Sequence, residues 1–485
     1  MQENKPSFSQ TIKSFSPTFW VANFLQIMER GAWFGIFSLL GLYLVASTDE
    51  GGLGLSHIEK GNILANVTAI QFFLPLFFGV IADRIGYKIS LIIAFVIIGV
   101  GYYLMGTVSS YWAVYLAFLF AAIGGSLFKP VASGIIARTT DERTNTMGFG
   151  LFYLMANIGG FFGPSFSSYL RTTMGWRIIF LQGAIIIFIN LLVVLFFYKE
   201  KKINREYNVP ILQEIKGSFG NIIEALRDKK LSILLFLMVG YWMVYNQLFY
   251  TLPNFIEDWV DSAPESAWIN KYIPFLGTTL TEKGQIKAEW YGNIDCVMII
   301  LFQVSISYMV MRIRQISALI RGTLIATLGV VLTFVFNNVC FTIIGTVIFA
   351  IGEMIAGPTL YAYVAQITPK GKEALYQGTL FLPVAVANYL TGFVTGDLYQ
   401  KWSDKYSLLK RELLQRQLSL PEGLSKKQFF EQAEQQLHMS PAELTEFLWN
   451  TYQPNKLWFL VLAMGAFTII SVYIYNKMMI KTKER

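Results

Sequence analysis

The sequence predicts an all-α polytopic membrane protein, about twelve transmembrane helices in two six-helix bundles. Three observations carry this. The chain is 54% hydrophobic and 16% aromatic but only 14% charged over 485 residues, with a mean hydropathy of +0.47, too apolar for a soluble domain. Apolar runs long enough to cross the roughly 30 Å hydrocarbon layer recur along its length. A basic stretch, residues 199–230, divides those runs six and six.

Taken in order, the spans fall near 19–45, 58–82, 89–107, 111–137, 146–170, 176–198, 231–258, 291–312, 316–336, 339–367, 373–399 and 457–478. The connections alternate between basic and nearly uncharged. Arg84 and Lys88 precede the uncharged Val108-Ser109-Ser110; Arg138 and Arg143, the linker with its eight cations, Arg312 and Arg314, Lys370 and Lys372, and Lys477, Lys481, Lys483 and Arg485 follow on one side. The positive-inside rule then places both termini in the cytoplasm. Residues 1–17 lack an apolar stretch with a cleavage site, so the first span is expected to serve as its own insertion signal.

This organisation gives an N-terminal bundle over 1–198, a cytoplasmic linker over 199–230, a C-terminal bundle over 231–478 and a cytoplasmic tail over 479–485. Ile211, Ile215, Ile222, Ile223 and Leu226 are spaced for an amphipathic linker helix on the membrane surface. Two outer connections are long, 261–289 and 401–455. The second is rich in Gln, Glu and Lys with spaced Leu and Phe, reads as extracytoplasmic helices, and suits either a lid or a hairpin for an unknown partner.

Net charge +8 resides in short loops, where it sets orientation, and makes no case for nucleic acid. Cys296 and Cys340 both lie in apolar runs and give neither a disulfide framework nor a metal site. No nucleophile with a base, metal-ligand cluster or nucleotide loop supports an enzyme, so neither catalytic residues nor a cofactor are expected.

The chemistry-bearing residues are charges inside spans. Glu29 and Arg30 fall near the middle of the first, within Ile27-Met28-Glu29-Arg30-Gly31-Ala32-Trp33-Phe34-Gly35. An ionisable group at that depth costs a few kcal/mol or more, so it should face a polar cavity and a partner. Lys129 in Gly124-Gly125-Ser126-Leu127-Phe128-Lys129-Pro130 and Glu353 in the tenth span pose the same demand. Asp295 reads as interfacial, near the outer end of the eighth span, and His57 as a solvated histidine at the outer end of the second.

After the second span comes Gly79-Val80-Ile81-Ala82-Asp83-Arg84-Ile85-Gly86-Tyr87-Lys88, which resembles the cytoplasmic loop signature of the major facilitator superfamily. The Lys129-Pro130 pair, Phe152-Tyr153-Leu154-Met155-Ala156-Asn157-Ile158-Gly159, Gly163-Pro164, Gly352-Glu353 with Pro358, and Gly378, Phe381-Leu382 and Asn388 narrow it. Together with Glu29-Arg30 they are similar to the proton-coupled oligopeptide transporter family, over roughly 19–400 and 457–478. The match is uneven. The family's first-helix Glu-x-x-Glu-Arg begins with Gln26, its tyrosines are Trp33 and Phe34, its second arginine is Phe37, its seventh-span acid is Asn246, its second-span tyrosine is Phe72, and its eleventh-span tryptophan is Leu380. Phe37 and Asn246 replace a facing ion pair of the outer gate, so neither is left as a lone buried charge.

The resemblance implies a secondary active transporter of the inner membrane that takes up di- and tripeptides with protons by alternating access. The altered cavity leaves open another substrate, a different carboxylate-bearing or amphipathic small molecule, or altered coupling. Arg30 and Lys129 would receive a substrate carboxylate and Glu353 an amino terminus, with Asn293, Gln247, Trp33, Phe34 and Asn157 lining the site. Glu29, Glu353 and Lys129 would couple protons. Lys129 with Glu353 would form the inner gate, and Asp83 and Arg84 a latch between the bundles.

Overall fold

A computed structural model describes residues 12–140, 145–200, 210–272, 284–310, 313–369, 372–421 and 423–483. Arg143, Arg312 and Lys370 lie outside the described residues, as do the side chains of Ile211, Ile215, Lys481, Lys483 and Arg485.

The N-terminal bundle comprises α1 (Pro17–Val45), α2 (His57–Phe73) with α3 (Pro75–Ile85), α4 (Tyr87–Met105), α5 (Tyr111–Thr139), α6 (Asn145–Met174) and α7 (Arg177–Phe196). A linker helix α8 (Ile211–Leu226) follows. The C-terminal bundle has α9 (Lys229–Tyr250) continued by α10 (Leu252–Trp259), α12 (Glu289–Val310), α13 (Gln315–Val335), α14 (Val339–Ile367), α15 (Glu373–Thr379) with α16 (Phe381–Phe393), and α21 (Leu457–Lys483). Between these lie α11 (Ala263–Tyr272), α17 (Tyr399–Trp402), and the outer helices α18 (Lys405–Gln415), α19 (Lys426–Leu437) and α20 (Pro441–Tyr452).

Among the described residues nine helices are long and apolar enough to cross a membrane, ten when α2 and α3, bent by 47°, are taken as one broken span. The helices α1 and α6, of 29 and 30 residues, are long enough but more polar, and complete the twelve of the expected fold. Polar residues of α1 face protein: Asn23, Gln26 and Glu29 are all buried.

Breaks follow the prolines. Pro75 ends α2 at Leu74, and Pro253 stands at the second position of α10 after the break at Thr251, because proline lacks the N–H that the preceding turn needs. A π-helical turn, Val394–Leu398, interrupts the eleventh span. It lets Thr395 Oγ1 donate to the Tyr250 carbonyl at 2.8 Å.

The linker helix forms as its amphipathic spacing predicts, and touches both halves. Phe219 stacks on Phe77 of α3 with ring centroids 6.1 Å apart, while Glu224 pairs with Lys372 at 2.5 Å and Asp228 accepts from the Tyr376 hydroxyl at 3.0 Å.

The connections at 46–56 and 403–456 define one face, the outer face of the positive-inside expectation. Helices α19 and α20 both start on capping boxes, Ser425 with Gln428 and Ser440 with Glu443, which satisfy the first orphan N–H groups. Lys426 then reaches across to the first bundle, donating to the carbonyls of Val45 at 2.7 Å and Leu55 at 3.3 Å. Burial lowers the pKa of its ammonium.

Candidate functional site

The N-terminal part of the site is set by how closely α6 crosses α1. A Cβ on Gly159 would lie 2.9 Å from the Gly31 nitrogen and 3.0 Å from Arg30 Cβ, so only glycine admits this approach. It holds Glu29 and Arg30 against the bundle. Arg30 Nε donates to Glu29 Oε2 at 2.6 Å and Nη2 to Oε1 at 2.7 Å, a two-pronged pair. Glu29 is 1% exposed, the guanidinium side 13%.

Lys129 joins this pair from α5. Its Nζ sits 3.7 Å from the centroid of Phe72, so the phenyl face at the position of the family tyrosine cushions the ammonium. Lys129 interacts electrostatically with both Arg30 and Glu29. One carboxylate and two basic groups thus gather on this half.

The opposite wall belongs to α12 and α14. Glu353 interacts electrostatically with Asp295, and among the described residues Glu353 Oε2 and Asp295 Oδ1 are buried without a hydrogen-bond partner. Asp295, near the start of α12, is 3% exposed: its register turns it toward protein, and hydropathy along one helix does not report register. Among the described residues no ion pair joins Lys129 to Glu353. Each charge stays on its own half.

The other residues expected in the site divide. Phe34 lies beneath the Arg30 guanidinium at 5.9 Å, and Asn157 caps the Tyr153 carbonyl of its own helix at 3.0 Å. Asn293 is 3% exposed and donates to Ser165 Oγ of α6 at 2.9 Å, a contact between the halves. Gln247 does not line the cavity: it is fully buried, donates to the Met243 carbonyl and accepts from Thr251 Oγ1 at 2.7 Å. Trp33 is also turned away, stacked on Phe37 at 5.0 Å and Phe118 at 5.9 Å.

Phe37 in turn meets Tyr250 edge-on at 5.4 Å. Asn246 donates to Asn388 Oδ1 at 2.7 Å and Thr391 Oγ1 at 3.2 Å. The two positions that lost their charges are thus filled by ring packing and by amide bonding.

Asp83 Oδ1 accepts from Arg138 Nη2 at 2.6 Å and from the Tyr87 hydroxyl at 2.9 Å, and Arg138 lies 3.6 Å over the Tyr87 ring. These described partners belong to the same bundle, so the contact braces α3 against α4 and α5. Glu200 adds to it by accepting the Tyr87 and Lys88 amides.

Sequence reasoning missed a cluster at the outer face. His57 is 4% exposed, not solvated, with Nε2 3.4 Å from Asp404 Oδ1. Lys60 is fully buried and donates across the halves to Asn254 Oδ1 at 2.9 Å and the Tyr250 carbonyl at 3.4 Å, and Tyr399 donates to Asp258 Oδ2 at 2.6 Å. The available signal was a charge at the outer end of a span in each half. Among the described residues His57, Asp258 and Asp404 are the group whose ligand atoms, all within 4.8 Å, could hold a metal. Lys60 interacts with both carboxylates, so a resident ammonium already supplies the countercharge.

Contacts between the halves gather at this face. To those of Lys60 and Lys426 are added Tyr250 to Thr68 at 2.8 Å and Lys287 to Thr172 at 2.6 Å. These contacts tie the two halves together at this face.

Residues 19–263, half of the chain, match the family described as Major Facilitator Superfamily. A "Dipeptide and tripeptide permease A" of Klebsiella pneumoniae is 22% identical over 50% of this chain and 47% of its own length; the chain thus spans about half the length of that relative. A "Multidrug resistance protein MdtH" of Salmonella arizonae is 22% identical over 77% of this chain and 84% of its own. Among solved structures, a POT family transporter in complex with a thioalcohol conjugated peptide superposes with a TM-score of 0.71 at 18% identity, covering 96% of this chain and 99% of that one.

Proposed function

As the chain belongs to the Major Facilitator Superfamily, we propose that it is a proton-coupled transporter taking up di- and tripeptides by alternating access in the inner membrane, with both termini cytoplasmic. The observation that carries this is the division of buried charge between the halves: Glu29, Arg30 and Lys129 on the N-terminal half, Glu353 and Asp295 on the C-terminal half. A zwitterion with a carboxylate and an ammonium a few ångströms apart satisfies both walls at once, which no ligand of single sign does. The relative named a dipeptide and tripeptide permease supports the same reading.

In the mechanism, Arg30 and Lys129 receive the carboxylate through charge-assisted donors and Glu353 receives the ammonium. Glu29, released in part from Arg30 as the guanidinium turns to the substrate, takes up a proton. Lys129 and Glu353, which form no ion pair among the described residues, meet as the inner ends close. Proton and substrate both bias that meeting, because either one changes the charge that each residue must balance. No resident cofactor is required; the proton gradient supplies the work.

Reconstitution tests it. Purified protein in liposomes should exchange labelled alanyl-alanine in counterflow and accumulate it when the outside is made acidic. Absence of both activities, with uptake of a carboxylate lacking an amino group or of a cationic dye instead, would replace the peptide reading.

A further inference from the structure

The helices α6 and α12, one from each half, meet along a seam whose polar contacts run from the outer end inward. Lys287, just before α12, donates to Thr172 Oγ1 at 2.6 Å. Arg171 Nη1 lies 3.8 Å from Glu289 Oε2, and its Nη2 lies 3.8 Å from Glu257 Oε1 on α10. Further in, Asn293 donates to Ser165 Oγ at 2.9 Å, and a Cβ on Gly160 would stand 3.3 Å from Cys296 Sγ. Lys60 and Lys426 tie other elements of the two halves, so this seam is a separate attachment.

Its charged members are unequally buried. Glu289, in the first turn of α12, has a side chain that is 0% exposed, and neither of its oxygens accepts a hydrogen bond. The helix N-terminus favours its ionised form, and Arg171 is the cation that faces it across the seam. Lys287 interacts electrostatically with Glu289 as well, while its ammonium is engaged by Thr172. The Arg171 guanidinium is seated from its own half, 3.9 Å over the Trp176 ring, which positions it and leaves its charge available. Its second acid, Glu257, is 42% exposed and is shared with water. A pair held by charge at 3.8 Å, with no hydrogen bond to break, parts readily once water enters, but a carboxylate buried without its cation is costly.

We propose that Arg171 and Glu289 form a charge clasp of the transport cycle: joined, they hold the outer ends of α6 and α12 together, and they part when this face opens to admit substrate. On parting, Glu289 comes into water, which takes over the role of Arg171, while the guanidinium keeps its seat on Trp176. On closing, the water leaves and Arg171 must again stand opposite Glu289, so the pair sets the register of α6 against α12 as well as holding them. Both are positioning residues; neither meets the substrate. Phe37 and Asn246 leave the contacts of α1 and α9 uncharged, and the clasp supplies a charge-dependent element of closure at the α6–α12 seam. This rests on the proposed alternating access and not on a peptide as the substrate.

Two arms test it in the full chain in liposomes. Spin labels on the outer ends of α6 and α12, read without ligand, give the populations of joined and separated seams. Arg171→Met should raise the separated-to-joined ratio about tenfold and Glu289→Gln by less, since Arg171 then keeps Glu257; the double variant should shift it less than the two single effects combined. Unchanged distances in Arg171→Met, or effects that simply add, overturn the clasp. The second arm leaves both residues in place. Thr172→Cys and Lys287→Cys, combined with Cys296→Ser and Cys340→Ser, are joined by a short bis-thiosulfonate reagent. Counterflow of alanyl-alanine should then fall about tenfold, because the seam can no longer open, and return on reduction. Full counterflow in the cross-linked protein overturns the proposal. Wild type that exchanges no alanyl-alanine refutes the peptide reading alone, and the label distances still decide the clasp.

Discussion

Lys60 of α2 donates its ammonium to Asn254 of α10 at 2.9 Å, fully buried and across the boundary between the two halves. A buried ammonium with a carbonyl and an amide for partners is stable only while the halves stay together, because opening removes Asn254 and the Tyr250 carbonyl together. Lys60→Met should therefore shift the population toward outward-open. Spin labels on the outer ends of α2 and α16 should report a longer mean distance than in wild type; an unchanged distribution would assign closure to backbone packing alone.

Backbone packing has its own test at Gly61. A Cβ there would fall 2.6 Å from the Gly392 carbonyl oxygen and 2.8 Å from Gly396 Cα, and backbone atoms cannot yield as a flexible side chain does. Gly61→Ala should penalise outer closure by about 1–3 kcal/mol and slow transport accordingly. Gly150→Ala, with nothing within 4 Å of the added carbon, serves as the control and should transport as wild type.

Loss of either cation on the first wall should weaken a carboxylate-bearing ligand. Arg30→Gln or Lys129→Gln is expected to reduce alanyl-alanine affinity by roughly 1.5–3 kcal/mol, the range for a charged hydrogen bond. Calorimetry or thermal shift with the dipeptide measures it. Wild-type affinity in both variants would remove these residues from the site.

Glu29→Gln separates coupling from exchange. Counterflow should persist, since the substrate still meets Arg30 and Lys129, but accumulation driven by a pH gradient should be abolished. Arg30 loses its two-pronged partner in that variant, so a lower thermal stability is also expected, because an uncompensated buried charge is costly.

At the inner face, Lys372 holds the Glu224 carboxyl below its ordinary 4.5, through its hydrogen bond first and its charge second. A carboxyl depressed in the folded state supports the contact above its ordinary range and lets go as pH falls through the lowered value. The tie of α8 to α15 should thus hold at neutral pH and loosen only in strong acid. Label distances between the two helices should show that dependence, and Glu224→Gln should show the loosened distance at every pH.

Much of the architecture was legible in the chain itself. Apolar length and the alternation of basic loops need no partner to be read, since the bilayer sets span length and orientation residue by residue. Glu29, Arg30, Lys129 and Glu353 announced themselves for the same reason: charge at membrane depth demands a counterpart wherever the chain goes. What the sequence left undecided was which counterpart. Asp295 looked interfacial and His57 solvated because position along a helix does not tell which way a side chain turns. Gln247 and Trp33 lay in the right motifs, but their rotation about α9 and α1 points them into packing. The seat of Lys60 against Asn254 and the closing of Asp83 on Arg138 were decided by tertiary structure. Each joins residues far apart in sequence, and their meeting depends on helix rotation and crossing distance, which are properties of packed helices and of no single one.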